Sequence, residues 1–336
     1  MRILLSRTDS IGDVILTLPM AGLLKKTFPD CTLIFLGRNY TRPVIELSKY
    51  VDQFVSLDDL SSQNPVSNIQ KLSNLHADVI IHVFPVKKIC HLAKQAGIPV
   101  RIATARRYFT WFTCNRLLHV SRKNSNLHEA QLNLKMLQPL GINQEVPLSE
   151  IPQFYGFSDI HKTENPATAI PFLVPGKFNL ILHPKSKGSA REWGFENFSR
   201  LISLLPKDKF NIMVTGTAEE GMLMKDFLAK NQPRILDLTG KFQLLEFISL
   251  IRHSNGLVAA STGPLHLAAA FGIMAIGLYS PMRPIFPQRW APLGKNACFF
   301  VLNKKCSDCR KTNDCACIRG IAPEQVAEKL IRVATQ

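Results

Sequence analysis

Residues 254–282 carry no Lys, Arg, Asp or Glu, a run of 29 positions long enough to suggest a membrane span. Its interior argues against one. Ser261, Thr262, Gly263, Pro264 and His266 break the run into a strand at 256–260, a helix at 264–271 and a second strand at 273–278. Strand, helix and strand in immediate succession make a βαβ unit, and such units belong to a mainly parallel sheet with helices on both faces. The junction Ser261-Thr262-Gly263-Pro264-Leu265-His266 is also a ready anion site. Free backbone N–H groups in a helix's first turn, with the positive end of its dipole, hold phosphate without a metal. Thr262 and His266 add side-chain donors, and Gly263 allows close approach to the backbone. Small polar residues at a helix start also serve as plain caps, so the junction alone leaves both roles open.

The same rhythm recurs along the chain. Strand-length apolar runs at 3–6, 33–36, 54–57 and 79–83 alternate with helical patterns, and a second series stands at 180–182, 211–215, 235–237, 256–260 and 273–278. Between the two series, Pro147, Pro152, Pro166, Pro171 and Pro175 punctuate a segment of little periodicity, which reads as an interdomain linker. With 336 residues the chain has room for two domains of ordinary size. The expectation is an α/β protein of two Rossmann-like doubly wound domains, residues 1–165 and 166–336, facing across a cleft that takes a small molecule. An amphipathic pattern at 323–333 predicts a closing helix, free to pack back on the first domain.

The formal charge of +16, from 41 Lys and Arg against 25 Asp and Glu, asks for an anionic partner: nucleic acid, an acidic membrane surface or phosphorylated substrates. Both halves share the excess, 18 basic to 11 acidic residues up to Glu150 and 23 to 14 beyond it, so no charged tail explains it. The first apolar run stops at Arg7 with Asp9 and Asp13 close behind, which does not fit a secretory signal and predicts a cytoplasmic chain.

Three further junctions carry chemistry. The first reads Ser6-Arg7-Thr8-Asp9-Ser10-Ile11-Gly12-Asp13-Val14 and lacks the Gly-x-Gly-x-x-Gly of dinucleotide folds, which disfavours NAD and FAD. Asp13 stands near a helix start, where the dipole favours its carboxylate and keeps it available as acceptor or base; an ordinary first-turn aspartate looks the same. The second, Leu182-His183-Pro184-Lys185-Ser186-Lys187-Gly188-Ser189-Ala190-Arg191-Glu192-Trp193, holds three cations that could neutralise a diphosphate or merely be solvated. In the third, Thr215-Gly216-Thr217-Ala218-Glu219-Glu220, one carboxylate could accept hydrogen bonds from ribose hydroxyls, or both could simply favour the next helix's dipole.

Together these junctions make the chain resemble glycosyltransferase family 9, the lipopolysaccharide heptosyltransferase family, over nearly its full length. Arg7 to Asp13 is similar to the family's Arg-x-x-x-x-Gly-Asp start, continued by Leu18-Pro19, Leu24 and Pro29. His183-Pro184 with Arg191 and Trp193 resembles its second-domain loop, and Thr262-Gly263-Pro264-Leu265-His266-Leu267-Ala268-Ala269-Ala270 its nucleotide-binding signature; Arg289-Trp290-Ala291-Pro292-Leu293-Gly294 completes the order. The resemblance implies a GT-B fold, with an acceptor-binding first domain and a nucleotide-sugar-binding second. It implies inverting, metal-independent transfer of a heptose from ADP-heptose to a lipopolysaccharide inner-core acceptor, with Asp13 as general base and Arg191 beside the departing diphosphate. The donor set expected is Ser186, Lys187, Glu219, Glu220, Ser261, Thr262, Gly263 and His266. No Asp-x-Asp metal motif occurs in the sequence, in keeping with charge offset by helix amides and cations. Two departures stand out: Ser261 where the best-known members have Asp, which leaves the donor sugar open, and Arg191 where Lys is common.

From 79 to 128 the chain has nine Lys or Arg, no carboxylate, and Tyr108, Phe109, Trp111 and Phe112 among the cations. That mixture suits anionic headgroups, or the phosphates and acidic sugars of a lipid-linked acceptor, and predicts a peripheral protein at the cytoplasmic face of the inner membrane. Arg7, Arg106, Arg107 and Trp111 are the acceptor contacts expected. Single-stranded nucleic acid draws on similar chemistry, and a solvated face over a buried aromatic cluster is the plainer reading. Of eight cysteines, Cys306, Cys309, Cys315 and Cys317 offer four thiolates to a structural zinc, with reduced thiols or a redox bridge as the other options. Cys31, Cys90, Cys114 and Cys298 read as ordinary buried thiols. No cofactor is expected for catalysis. The rival functions are a related transferase using another nucleotide sugar and a basic, zinc-containing nucleic-acid-binding protein.

Overall fold

The computed structural model describes residues 1–60, 64–122, 125–157, 170–304 and 315–335, and divides the chain into two compact units, Met1–Lys162 and Thr163–Gln336. Each unit is built on one six-stranded parallel sheet. The first contains β1 (Arg2–Ser6), β2 (Thr32–Gly37), β3 (Gln53–Ser56), β4 (Val79–His82), β5 (Val100–Thr104) and β6 (Arg116–Leu118), in the order β3-β2-β1-β4-β5-β6. The second contains β7 (Phe178–His183), β8 (Phe210–Val214), β9 (Leu236–Asp237), β10 (Gly256–Ala260), β11 (Met274–Tyr279) and β12 (Ala297–Val301), in the order β12-β11-β10-β7-β8-β9. Counted within its own unit, each sheet has the doubly wound order 3-2-1-4-5-6. The chain reverses direction across the sheet between β1 and β4 and again between β7 and β10, and ligands of such sheets bind beyond the carboxyl ends of the strands at that point.

Strands covered on both faces need unbroken apolar runs, and Ile3, Leu4 and Leu5 in β1, like Ile34, Phe35 and Leu36 in β2, are fully buried. Three strands fall outside the expected runs. β5 carries Arg101, β6 is three residues long, and β12 is a half-exposed edge strand.

One expectation is corrected here. Part of the proline-rich segment read as a linker belongs to the first unit: a 3-10 turn at Ile151–Phe154 lies on helix Leu18–Thr27, and Ile151, Phe154, Tyr155 and Phe157 are buried. A Cβ at Gly22 would meet the Phe154 carbonyl oxygen at 2.4 Å, so a small residue there sets the approach. Prolines fix backbone angles without preventing the apolar side chains between them from packing. The closing helix Pro323–Ala334 places Val326, Ala327 and Leu330 in the second unit's own core, beside helix Phe195–Leu204. Full burial of a Val or Leu contributes about 1.5–3 kcal/mol. Trp193, also buried there, donates its indole N–H to the Ile321 carbonyl at 2.9 Å.

The stretch Trp290 to Gly294 braces helix Gly263–Phe271. Tyr279 donates its phenolic hydrogen to the Trp290 carbonyl, Leu293 is buried, and a Cβ at Gly294 would stand 2.1 Å from the Ala269 carbonyl oxygen. Gly294→Ala is therefore expected to lower the unfolding free energy by about 2–3 kcal/mol, as forced overpacking usually does. The check is a lower urea midpoint at unchanged slope; an unmoved midpoint would mean that the helix yields freely.

Candidate active site

At the carboxyl end of β1 the chain turns through Arg7 and Thr8 into helix Ile11–Ile15, whose first turn carries Asp13. Arg7 is only 2% exposed and its guanidinium is engaged on every nitrogen. Nε pairs with Asp9 Oδ1 at 2.6 Å, one terminal nitrogen with Asp13 Oδ1, and the other faces Glu129 Oε1 at 3.4 Å and Asn133 Oδ1 at 3.5 Å. Ser10 donates its hydroxyl to the second Asp13 oxygen. Glu129, fully buried at the start of helix Glu129–Lys135, is paired in turn with Arg122, which also donates to the Val83 carbonyl at 2.8 Å. Burial works against the charged form of Arg7, but Asp13, Asp9 and Glu129 outweigh it and raise its pKa. Burial lifts the Asp9 pKa above the ordinary carboxylate value despite Arg7, with Asp13 adding to the lift.

Arg7, expected as an acceptor contact, spends its guanidinium within the protein and holds the Asp13 carboxylate. Asp13 itself keeps an open edge, 17% of its side chain exposed. Glu129, Arg122 and Asn133 were not legible as site residues. The one available signal was that Glu129 is the first carboxylate after fifty residues without any.

The aromatic and basic stretch lies next to this network. Phe84 has the Arg7 guanidinium 5.6 Å from its ring centre and the Arg107 guanidinium 4.7 Å from it. Helix Tyr108–Thr113 buries Phe109 and leaves Tyr108, Trp111 and Phe112 exposed by 70%, 63% and 74%. Arg106 is exposed and donates to the Ser121 hydroxyl, and the Trp111 indole N–H donates to the Ala105 carbonyl at 2.6 Å. Lys123 lies outside the described residues. No helix among the described residues is long and apolar enough to cross a membrane.

In the second unit the expected junctions gather at the carboxyl ends of β7, β8 and β10. Thr262 stands at the N-cap of helix Gly263–Phe271 but its side chain caps nothing: the hydroxyl is buried and has no hydrogen-bond partner among the described residues. His266 is buried one turn later, and Ser261 hydrogen-bonds to the buried Tyr279 hydroxyl. At the end of β7, His183 is hydrogen-bonded to the Thr215 hydroxyl at 3.0 Å and stacks on Phe247; burial pushes its pKa down to about 4, so it is neutral at pH 7.

The loop after His183 is organised by Glu192. Its carboxylate takes the Lys185 ammonium at 2.6 Å and the Ser186 N–H at 3.2 Å, while the Ser186 hydroxyl donates to the Ala190 carbonyl at 2.9 Å. Ser186, expected as a donor contact, is thus a buried turn residue whose polar atoms are used within the loop. Lys187, in the left-handed region at φ 47°, is exposed and near the exposed Glu219; Arg191 is half-buried. Glu220, expected as a donor contact, has a structural role as well. It is buried and completes a capping box, accepting from the Thr217 N–H at 2.9 Å while the Thr217 hydroxyl accepts from the Glu220 N–H, so one of its carboxylate oxygens is spent within the helix start.

The cysteine-rich stretch is described only at its end. Cys306 and Cys309 lie outside the described residues; Cys315 and Cys317 are buried in the second unit's core, and the Cys315 thiol donates to the Ser280 hydroxyl at 3.3 Å.

The chain is similar to a glycosyltransferase of Haemophilus influenzae described as putative in its name, at 26% identity over 87% of this chain and 86% of that one. It is 22% identical to lipopolysaccharide heptosyltransferase 3 of Escherichia coli, over 83% of this chain and 82% of the relative. The solved structure of the Escherichia coli ADP-heptose lipopolysaccharide heptosyltransferase II superposes with a TM-score of 0.80 at 19% identity, covering 100% of this chain and 99% of that one, which makes the fold GT-B. The family model for glycosyltransferase family 9 (heptosyltransferase) matches residues 66–317, so the chain belongs to that family and is a glycosyltransferase.

Proposed function

We propose that the chain moves a heptose from ADP-heptose to an inner-core lipopolysaccharide acceptor, with inversion at the anomeric carbon and without a catalytic metal. The observation that carries this reading is the Asp13 carboxylate, clamped by Arg7 and Ser10 at the carboxyl end of β1 yet open on one edge. The acceptor oxygen attacks the anomeric carbon on the face opposite the diphosphate. Asp13 takes the hydroxyl proton, the new C–O bond forms as the bond to the β-phosphate oxygen breaks, and that electron pair leaves with ADP. The second unit receives the leaving charge at the amide end of helix Gly263–Phe271, beside Thr262 and His266, with Lys187 and Arg191 of the loop after β7 supplying positive charge. Arg106, Arg107 and Trp111 hold the acceptor's phosphates and sugars.

Asp13→Asn is expected to lower kcat about 10³-fold, within the range of a lost general base, while the ADP Kd measured by calorimetry stays within about twofold. Wild-type turnover by D13N removes Asp13 from the base role. Thr262→Val is expected to weaken ADP binding about tenfold, near 1.4 kcal/mol, without lowering the melting temperature of the unliganded protein, because it deletes a buried hydroxyl that has no partner among the described residues. Unchanged ADP affinity in T262V would place the diphosphate elsewhere.

One observation favours a second reading of the donor: Ser261, bonded to Tyr279, leaves this helix start without a carboxylate. Melting curves with ADP-heptose, GDP-sugars and UDP-sugars separate the two, since a ligand at about 100 times its Kd stabilises by about 2.7 kcal/mol.

The exposed rings of Tyr108, Trp111 and Phe112, flanked by Arg106 and Arg107, support peripheral binding at the cytoplasmic face of the inner membrane. The double substitution W111A/F112A is expected to weaken binding to phosphatidylglycerol vesicles by about tenfold or more, from the apolar area removed. Equal binding by variant and wild type in a sedimentation assay would deny this surface a membrane role.

A further inference from the structure

The first unit holds a second group of reactive side chains that glycosyl transfer does not use. His82 ends β4, Cys90 lies in helix Lys87–Gln95, and Cys114 follows helix Tyr108–Thr113; all three are buried, and one ligand atom from each lies within 4.8 Å of the other two. No Cys-x-x-Cys spacing links them, which is why Cys90 and Cys114 read from the sequence as separate core thiols. His82 is 0% exposed, and among the described residues neither ring nitrogen reaches an oxygen or nitrogen partner; the two sulfurs are what it faces. A buried imidazole ordinarily finds at least one partner. Ala103 and Phe109 pack on the two cysteines, and the Thr113 hydroxyl is the polar group beside Cys114.

We propose that His82, Cys90 and Cys114 bind a thiophilic divalent cation, Zn²⁺. Two sulfurs and an imidazole select a borderline-soft ion over Mg²⁺ or Ca²⁺, which take oxygen ligands. A tetrahedral zinc with bonds of about 2.3 Å to sulfur and about 2.0 Å to nitrogen spaces its ligand atoms roughly 3.5–3.8 Å apart. The cluster closes on it with roughly 1 Å of side-chain movement by that geometry. Two thiolates cancel the ion's charge, so no net charge is buried there. The Thr113 hydroxyl oxygen, 3.7 Å from Cys114 Sγ, is the nearby oxygen for a fourth position. The ion ties the end of β4 to the helix holding Cys90 and to the root of the helix that displays Tyr108, Trp111 and Phe112.

The test uses the full chain with Cys306→Ser and Cys309→Ser, which removes half of the other cysteine cluster and leaves the proposed ligands intact. Purified from zinc-supplemented cells, this protein is expected to hold one zinc per chain by mass spectrometry of the element. X-ray absorption at the zinc edge is expected to find two sulfur neighbours and an imidazole. Adding Cys114→Ala or His82→Ala is expected to remove that equivalent. Absence of stoichiometric zinc in the C306S/C309S protein, a four-sulfur shell, or a Cys90–Cys114 disulfide in the protein as purified would overturn the proposal, and each of these readings is taken on a chain whose proposed ligands are unaltered.

Discussion

A guanidinium withdrawn from water has to be matched on every side, and the geometry of the first unit turns on how Arg7 is matched. Burying one ion costs several kcal/mol even after relaxation, and removing a partner from a buried pair costs about 3–5 kcal/mol. Arg7 and Arg122 are set against Asp9, Asp13 and Glu129, so the network carries one carboxylate more than it has guanidinium groups. Its members are sorted by depth. Glu129 is sealed between the two arginines, Asp9 absorbs the crowding as a raised pKa, and Asp13 is left aimed with an edge in solvent. The same pairing that makes Arg7 tolerable inside the protein orients Asp13. Structural cost and functional geometry are settled by one interaction.

The two units repeat one topology and put opposite chemistry on it. At the β1 end the first unit presents carboxylates held by arginines; at the β10 end the second presents a helix N-terminus, a buried uncapped hydroxyl and a buried histidine. A carboxylate accepts protons and a helix N-terminus accepts anions. Doubly wound sheets place both at strand carboxyl ends, so the fold supplies the position and the junction residues supply the chemistry.

Much of the architecture was legible because strands buried on both faces need apolar centres, as Ile3–Leu5 of β1, Leu33–Leu36 of β2, β10 and β11 provide. Of the strands that escaped notice, β6 has only three residues, β5 has Arg101 inside its run, and β12 is a half-exposed edge. The junctions were legible as places but less so as roles. Arg7, Ser186 and Glu220 have the right residue types for ligand contacts, yet each spends its polar atoms on the protein, which burial decides and spacing does not reveal. Glu129 enters the Arg7 network from a helix 122 positions away, and no local pattern carries that information. The net charge of +16 suited a nucleic-acid binder as well as a transferase; family membership, not charge, separates them.

Ser261 and the buried Tyr279 show how one departure from the family pattern is absorbed. Tyr279 has a single hydroxyl proton and gives it to the Trp290 carbonyl, in the stretch that braces helix Gly263–Phe271. Its oxygen must then accept, and the Ser261 hydroxyl can donate to it. An ionised aspartate at 261 has no proton to give, so it would compete with Trp290 for the tyrosine's hydrogen or leave its own oxygens against the phenol. Serine therefore keeps the brace closed and the helix start neutral, and the positive end of that helix acts on an incoming anion without a fixed negative charge beside it. The substitution changes the field at the helix start while preserving the packing around it.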